Sequence, residues 1–355
     1  MDISSTEQTR HLQFHGSAQT LFGIWIVNVF LTLITFGVYY FWAKVRIREY
    51  LLSQTSFEGD RFAYHGSGKE LLVGWLKVML CFGIPYIVLA YGVIWIGADR
   101  LTVWVSGLLS WLILVTFPPL AGVWALRYRF SRMSWRNVRF AFRGQAAPYL
   151  RLVFKGTILT VLTLGLYYPF YAAQKRAFLV SQTYFGNEHF TFDGQGKEFF
   201  QVYLKTIPLG IFLLLMGLFA SAVMMPVFNP AVWGKYTVWV FLSMTLGILL
   251  ALPWSYLNAE KQRFFWNHTG FRNGRCHSTV EFDTWLWLKL GNFVLLVCSL
   301  GLAWPWARVR NIQYTYQQHS LNGPFDLQGI LQNPTDVSAT GDEAAGLFDV
   351  GFDLG

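Results

Sequence analysis

"LITFGVYYFWAKVR" (residues 33–46) ends an apolar run in an unusual way. Gly37 interrupts the run, aromatics follow, and Lys44 and Arg46 then arrive at alternate positions. The pattern returns as "LTLGLYYPFYAAQKR" (162–176) and as "CSLGLAWPWARVR" (298–310). Whether each corner ends a membrane crossing or turns the chain back decides the fold.

Hydrophobic residues make up 54% of the 355 positions and charged residues 13%, against about a quarter charged in a soluble domain. Seven stretches carry no charge: 16–43, 78–98, 101–126, 156–174, 206–234, 236–259 and 290–307. Each is near or above the roughly 18 to 20 residues that cross a hydrocarbon core of about 30 Å. This composition predicts a polytopic α-helical membrane protein and excludes an ordinary soluble fold. The N-terminus lacks a basic region followed by an apolar stretch and a cleavage site, so no removable signal is expected. Cys81, Cys276 and Cys298 are too scattered for a disulfide framework or a zinc site and read as packed thiols. The tail 331–355 holds five acids and no Lys or Arg, which leaves 28 basic against 14 acidic residues in the body. Such a tail is either a solvated end or a strap, and the alternation in "LFDVGFDLG" favours docking.

The chain repeats itself. At an offset of 128, residues 14–77 overlay 142–205 without a gap, matching Gly37 with Gly165 and Gly68-Lys69-Glu70 with Gly196-Lys197-Glu198. A weaker third copy at an offset of 264 matches Asn28 with Asn292, Gly37 with Gly301 and Arg46 with Arg310. The unit reads strand, apolar helix, Gly break, basic helix, strand hairpin, with turns expected at Gly59-Asp60, Gly186-Asn187 and Asn322-Gly323. Six short strands in three related pairs predict a small cytoplasmic β module with pseudo-threefold symmetry. The organisation expected is a first segment 1–16, repeat 1 at 17–137, repeat 2 at 138–275, a partial repeat 3 at 276–330, and the tail 331–355.

Basic residues fill the loops 44–69, 127–151, 175–197 and 260–275, which places these and both termini on the cytoplasmic side. The pairs 71–98/101–126 and 206–234/236–257 obey this as out-and-back crossings. A single crossing by each Gly-broken segment would violate it for about half the loops. Re-entrant segments turning at Gly37, Gly165 and Gly301 are the preferred solution, because the flanking strands need a common side on which to pair. Ordinary crossings with tolerated glycines are the alternative.

"FHGSAQTLFGIW" (14–25), "TFGVYYFWAKVRIREYLLSQTSFEGDRFAYHGSGKELL" (35–72) and the terminal "GDEAAGLFDVGFDLG" resemble the YjgN family of bacterial inner-membrane proteins. The resemblance runs along essentially the whole chain. It implies a bacterial cytoplasmic membrane, and it carries over no catalytic residue, because the family's domain has no known function. Copy two departs from the pattern at Tyr171, where copy one has Ala43.

No enzyme is expected, since no nucleophile–base or metal constellation is present, and no cofactor is implied. "GSGKE" and "GQGKE" lack the first Gly and the final Ser or Thr of a phosphate-binding loop. They read as strand-end turns whose Glu caps the next helix. His15 and His65 share a His-Gly-Ser context, but Arg143 and Asp193 replace them in copy two. Lys77, Lys205, Lys155 and Lys289 are cations at membrane depth that can snorkel to the headgroups. In a functional reading, Lys77, Lys205 and Lys155 join Arg46, Arg176 and Arg310 in binding anionic lipid heads or an anionic solute. Asn28 and Asn292 read first as helix–helix contacts and second as solute ligands. Two function classes follow: transport or handling of a lipid or amphiphilic anion, or a membrane scaffold that engages a partner through its strands and tail. Membrane lipid, rather than nucleic acid, is the partner expected of the arginines.

Overall fold

The computed structural model describes residues 9–224 and 235–323; the first eight residues and the acidic tail lie outside the described residues. Eleven short antiparallel strands form one sheet in the order β1-β11-β10-β9-β8-β7-β6-β5-β4-β3-β2. β1 (Arg10–His11) pairs with β11 (His319–Asn322), while β2 (Gln13–Phe14) pairs with β3 (Thr55–Phe57). These two strands are one extended stretch broken at Leu12, so residues 10–14 draw the two ends of the sheet together into a nearly closed ring.

The ring is built from five units of one plan. A strand leaves, two helices go out and back, and a strand returns beside the first. Unit one joins β2 and β3 through α1 (Ala18–Ile34) and α2 (Tyr40–Ser53). Unit two runs β4 (Asp60–Tyr64), α3 (Gly68–Trp95), α4 (Arg100–Ser131), β5 (Met133–Trp135). Unit three runs β6 (Val138–Phe142), α5 (Ala146–Leu162), α6 (Tyr168–Ser181), β7 (Thr183–Phe185). Unit four runs β8 (Glu188–Phe192), α7 (Gly196–Met224), α8 (Lys235–Asn267), β9 (Thr269–Phe271). Unit five runs β10 (Gly274–Ser278), α9 (Phe282–Cys298), α10 (Trp304–Gln318), β11. One backbone bond recurs at every base: the N–H of His15, His65, Arg143, Asp193 and Thr279 donates to the carbonyl of Gln54, Arg132, Gln182, His268 and Gln318. All helix pairs therefore leave one rim as a crown in which each helix packs on the next and α10 on α1.

This architecture overturns the expected polytopic helical protein with a small strand module. The strands are the frame of the molecule, and among the described residues only Gly68–Trp95, Arg100–Ser131 and Gly196–Ala220 are long and apolar enough to cross a membrane. The ring is also fivefold in plan, not threefold. Strands of two to five residues are too short for a period of two to stand out against apolar neighbours. Two tight turns, Arg136-Asn137 and Arg272-Asn273, carry no Gly, and the positive φ of Arg136, Asn137 and Arg272 was not legible as turn chemistry. Their arginines instead reach carboxylates on the preceding turn, Arg136 meeting Asp60 and Arg272 meeting Glu188 at 3.1 Å. These contacts offset the roughly 1 kcal/mol strain of a left-handed residue.

The three Gly-broken segments are helix pairs that return to the ring beside their point of departure. Their tips leave no turn N–H unpaired. Gly37, Gly165 and Gly301 (φ +91°, +93°, +86°) donate to Thr32, Thr160 and Leu296 carbonyls, and the Thr35, Thr163 and Ser299 hydroxyls accept from Tyr39, Tyr167 and Ala303. Phe36, Leu164 and Leu300 at the tips are 98%, 95% and 94% exposed. A turn with apolar side chains outward and every donor satisfied inward is what hydrocarbon tolerates.

The other rim is filled. Phe62 pairs with Trp135, Phe140 with Phe185, Phe190 with Phe271, and Cys276 with Leu321. Rings two strands apart touch, Trp135 with Phe185 at 5.8 Å and Phe185 with Phe271 at 6.3 Å. Such contacts require the concave face of a tightly curved sheet, so these aromatics plug the inside of the ring.

Where each strand meets its helix, an aromatic ring covers a glycine. A Cβ on Gly16, Gly66, Gly144 or Gly194 would lie 2.5–2.7 Å from the ring of Phe14, Tyr64, Phe142 or Phe192. Unit five inverts the volumes, with Ser278 in the aromatic place and buried Val280 in the glycine place. Gly16→Val should therefore lower stability by about 1–3 kcal/mol, and adding Phe14→Ser should recover part of the loss. Thermal midpoints of the two single variants and the double variant check the coupling; additive losses would contradict it.

Candidate functional site

The helices that return to the sheet carry the cations. Lys44, Arg46 and Arg48 lie on α2, Arg127 and Arg129 on α4, Lys175 and Arg176 on α6, Lys261 and Arg263 on α8, and Arg308 and Arg310 on α10. The same helices hold only Glu49 and Glu260 as acids. Because the five return at one rim, these cations form a belt at the base of the crown, near the helix C-termini that favour positive charge.

Most of the belt is anchored locally. Lys44 and Arg46 lie over the rings of Tyr40 and Tyr39, and Lys261 donates to the Tyr168 hydroxyl at 3.0 Å. Glu70 accepts from Tyr128 at 2.9 Å and from Arg132 at 2.8 Å, while Glu198 sits 3.1 Å from His268 in the equivalent place. Glu70 thus clasps the two ends of a helix pair, and the N-cap is Ser67, which accepts from the Glu70 N–H, rather than the glutamate that the sequence suggested. His15 and His65 each bond a serine of their own unit, Ser56 and Ser134, at 2.8 Å. They occupy equivalent places in successive units and do not face each other.

Arg176 differs from the others. Its guanidinium lies against Phe265 and Trp266, 5.7 and 5.9 Å from their centroids, with Nε buried and unbonded and no carboxylate partner among the described residues. Burial pushes its pKa down to about 10, so it stays charged at neutral pH. Nearby Cys276 is held as a thiol, pushed up to about 12 by burial against the opposing pull of Arg176. His319 Nδ1 donates to the Thr315 carbonyl at 2.6 Å, and its ring meets Trp266 at 4.5 Å. Burial and the Arg176 charge lower its pKa to about 4 against the raising effect of the Thr315 bond, so the ring is neutral. Its Nε2 is buried without a partner. Three units supply this cluster, which no local pattern in the sequence could assemble.

The remaining expected residues are not gathered in one place. Lys77, Lys155 and Lys205 are exposed on three different helices, and Arg46 and Arg310 are exposed on two others. Asn28 and Asn292, 2% and 5% exposed, face inside their own hairpins. Asn28 Nδ2 reaches the Ala43 carbonyl at 3.4 Å and Asn292 Nδ2 reaches Asn311 Oδ1 at 3.1 Å. In the second copy Gly156 takes the asparagine's place beneath Tyr171, whose ring fills the space a Cβ would enter. The departure at Tyr171 is therefore compensated across the helix pair. Gly37, Gly165 and Gly301 stand at the crown tips, far from the belt.

A helical crown with apolar tips, three helices fit to cross a bilayer and a cationic belt at its base define a membrane-inserted protein. The chain belongs to the family of bacterial proteins of unknown function DUF898, which matches residues 9–347, in keeping with the YjgN resemblance. It is 26% identical to the inner membrane protein YjgN of Salmonella typhimurium over 374 residues, 91% of each chain. It is 31% identical to the inner membrane protein YjgN of Escherichia coli O157:H7 over 153 residues, 43% of this chain and 36% of that one. No solved structure matches. Both relatives are named inner membrane proteins, in agreement with the apolar crown.

Stability should fall with pH because of His319. The unfolded ring protonates near 6.5 and the folded one only near 4. Over that window the unfolded state binds more protons, so stability is full above pH 6.5 and declines toward pH 4, by on the order of 3 kcal/mol. Thermal midpoints across pH for the wild type and His319→Asn check this; the variant should lose the slope. Arg176→Met should be neutral or stabilising, since a buried charge without a partner costs more than it contributes.

Proposed function

We propose that the protein inserts its crown into the bacterial inner membrane from the cytoplasmic side and handles lipids, holding anionic headgroups on the cationic belt. The observation that carries this reading is the convergence of five return helices, rich in Lys and Arg, on one rim beneath an apolar crown. Polybasic sites at a membrane surface gain about 1 kcal/mol per cation from anionic lipid. Lys77, Lys155 and Lys205 extend the belt by snorkelling. The aromatic plug in the far rim favours lateral lipid handling over conduction of a solute through the ring. The positive-inside bias supports a cytoplasmic ring and cytoplasmic termini.

Arg263→Gln/Arg310→Gln changes two exposed belt positions on different units. Retention of phosphatidylglycerol by the purified double variant should fall by up to about thirtyfold at low salt, and 0.5 M salt should erase most of the difference. Native mass spectrometry reads the bound lipid, and equal retention by variant and wild type would overturn the proposal.

A further inference from the structure

The first helix pair carries an open groove. It encloses about 580 Å³ between Gly23, Ile24 and Val27 on α1 and Arg46, Glu49 and Ser53 on α2. A Cβ on Gly23 would meet nothing within 4 Å, so the missing side chain leaves the groove open. At the repeat offsets of 128 and 264 the same position carries a side chain, Arg151 or Trp287. The Tyr50 hydroxyl closes the sheet-ward end, accepting from the Ser17 N–H at 2.9 Å and donating to the Ser17 carbonyl at 3.1 Å.

With the crown inserted as proposed above, the groove sits at headgroup height. Gly23 is five residues into α1, about 8 Å from its start, and Arg46 is seven residues from the end of α2, about 10 Å. Toward the crown tip the exposed face of α1 continues through Val27, Phe30 and Leu33, an apolar track suited to an acyl chain. Arg46 and Glu49 are both exposed and one helical turn apart. Among the described residues neither forms an ion pair, and the contact of Arg46 is the Tyr39 ring at 5.8 Å. Side chains three residues apart project from Cβ atoms roughly 5–6 Å from one another. A cation and a carboxylate so placed can meet the phosphate and the primary ammonium of one zwitterionic headgroup.

We propose that this groove binds one phospholipid with an ethanolamine headgroup. Arg46 donates to the phosphate, Glu49 accepts from the ammonium, and an acyl chain lies along Gly23, Val27 and Phe30. A choline headgroup cannot donate a hydrogen bond to Glu49, and a glycerol headgroup brings no cation to it. The site rests on the crown insertion proposed above, but its selectivity differs from that of the belt.

The test is native mass spectrometry of the purified full chain with phosphatidylethanolamine, phosphatidylcholine and phosphatidylglycerol at equal concentrations. The single adduct that filling the groove removes should be the ethanolamine lipid, favoured there about threefold over either competitor, as expected of exposed charged contacts. Glu49→Gln should abolish that preference, Arg46→Gln should weaken retention of the ethanolamine lipid, and Gly23→Leu should remove the adduct. Should Gly23→Leu fail to fold, Val27→Trp fills the same groove. Loss of phosphatidylglycerol rather than of the ethanolamine lipid on filling the groove, or groove-filling and Glu49→Gln variants that keep the wild-type pattern, would overturn the proposal.

Discussion

Everything in this molecule hangs on the pairing of residues 10–14 with two strands that the chain reaches far apart in sequence. Arg10 lies opposite Leu321, and Phe14 lies opposite Thr55. Without that segment the sheet would expose two edges beside a membrane, where unpaired backbone groups are costly and invite other strands. With it, the strands ordered from β2 round to β1 leave little edge, and five helix pairs are forced onto one rim. The crown, the belt and the plug are consequences of closing the sheet.

The same accounting of backbone donors governs the crown tips. A helix pair can turn back in an apolar setting only if the turn satisfies itself. The Gly φ near +90° allows its N–H to reach back across the turn, and the Thr or Ser hydroxyl takes the donor that follows. Pro169 and Pro305 then start the return helices, where a missing N–H costs nothing. One device, used three times, turns an apolar run around without an orphan donor.

Packing shows how strictly the units share one frame. Where one side of a contact grows, the other shrinks: Gly156 beneath Tyr171 against Asn28 beside Ala43, and Val280 with Ser278 against Gly16 with Phe14. Close-packed interiors admit little volume change at one position unless its neighbour absorbs it. These exchanges are visible in the sequence as departures from the repeat, but only the contacts reveal them as compensated.

By itself, the sequence determined the apolar character of the chain, the three glycine corners, the repeat offsets and the family. All of these are local or periodic signals. It did not disclose the eleven-stranded ring, because strands of two to five residues carry too little pattern and their partners lie far away in the chain. The turns at Arg136-Asn137 and Arg272-Asn273 lack glycine and are stabilised by arginines bound to carboxylates elsewhere in the ring. Likewise Arg176, Cys276 and His319 were readable only as isolated residues, whereas the sheet sets units three, four and five side by side and gathers them with Trp266 into one buried cluster. Tertiary structure decided these features because their energies come from contacts between units, which no window of sequence contains.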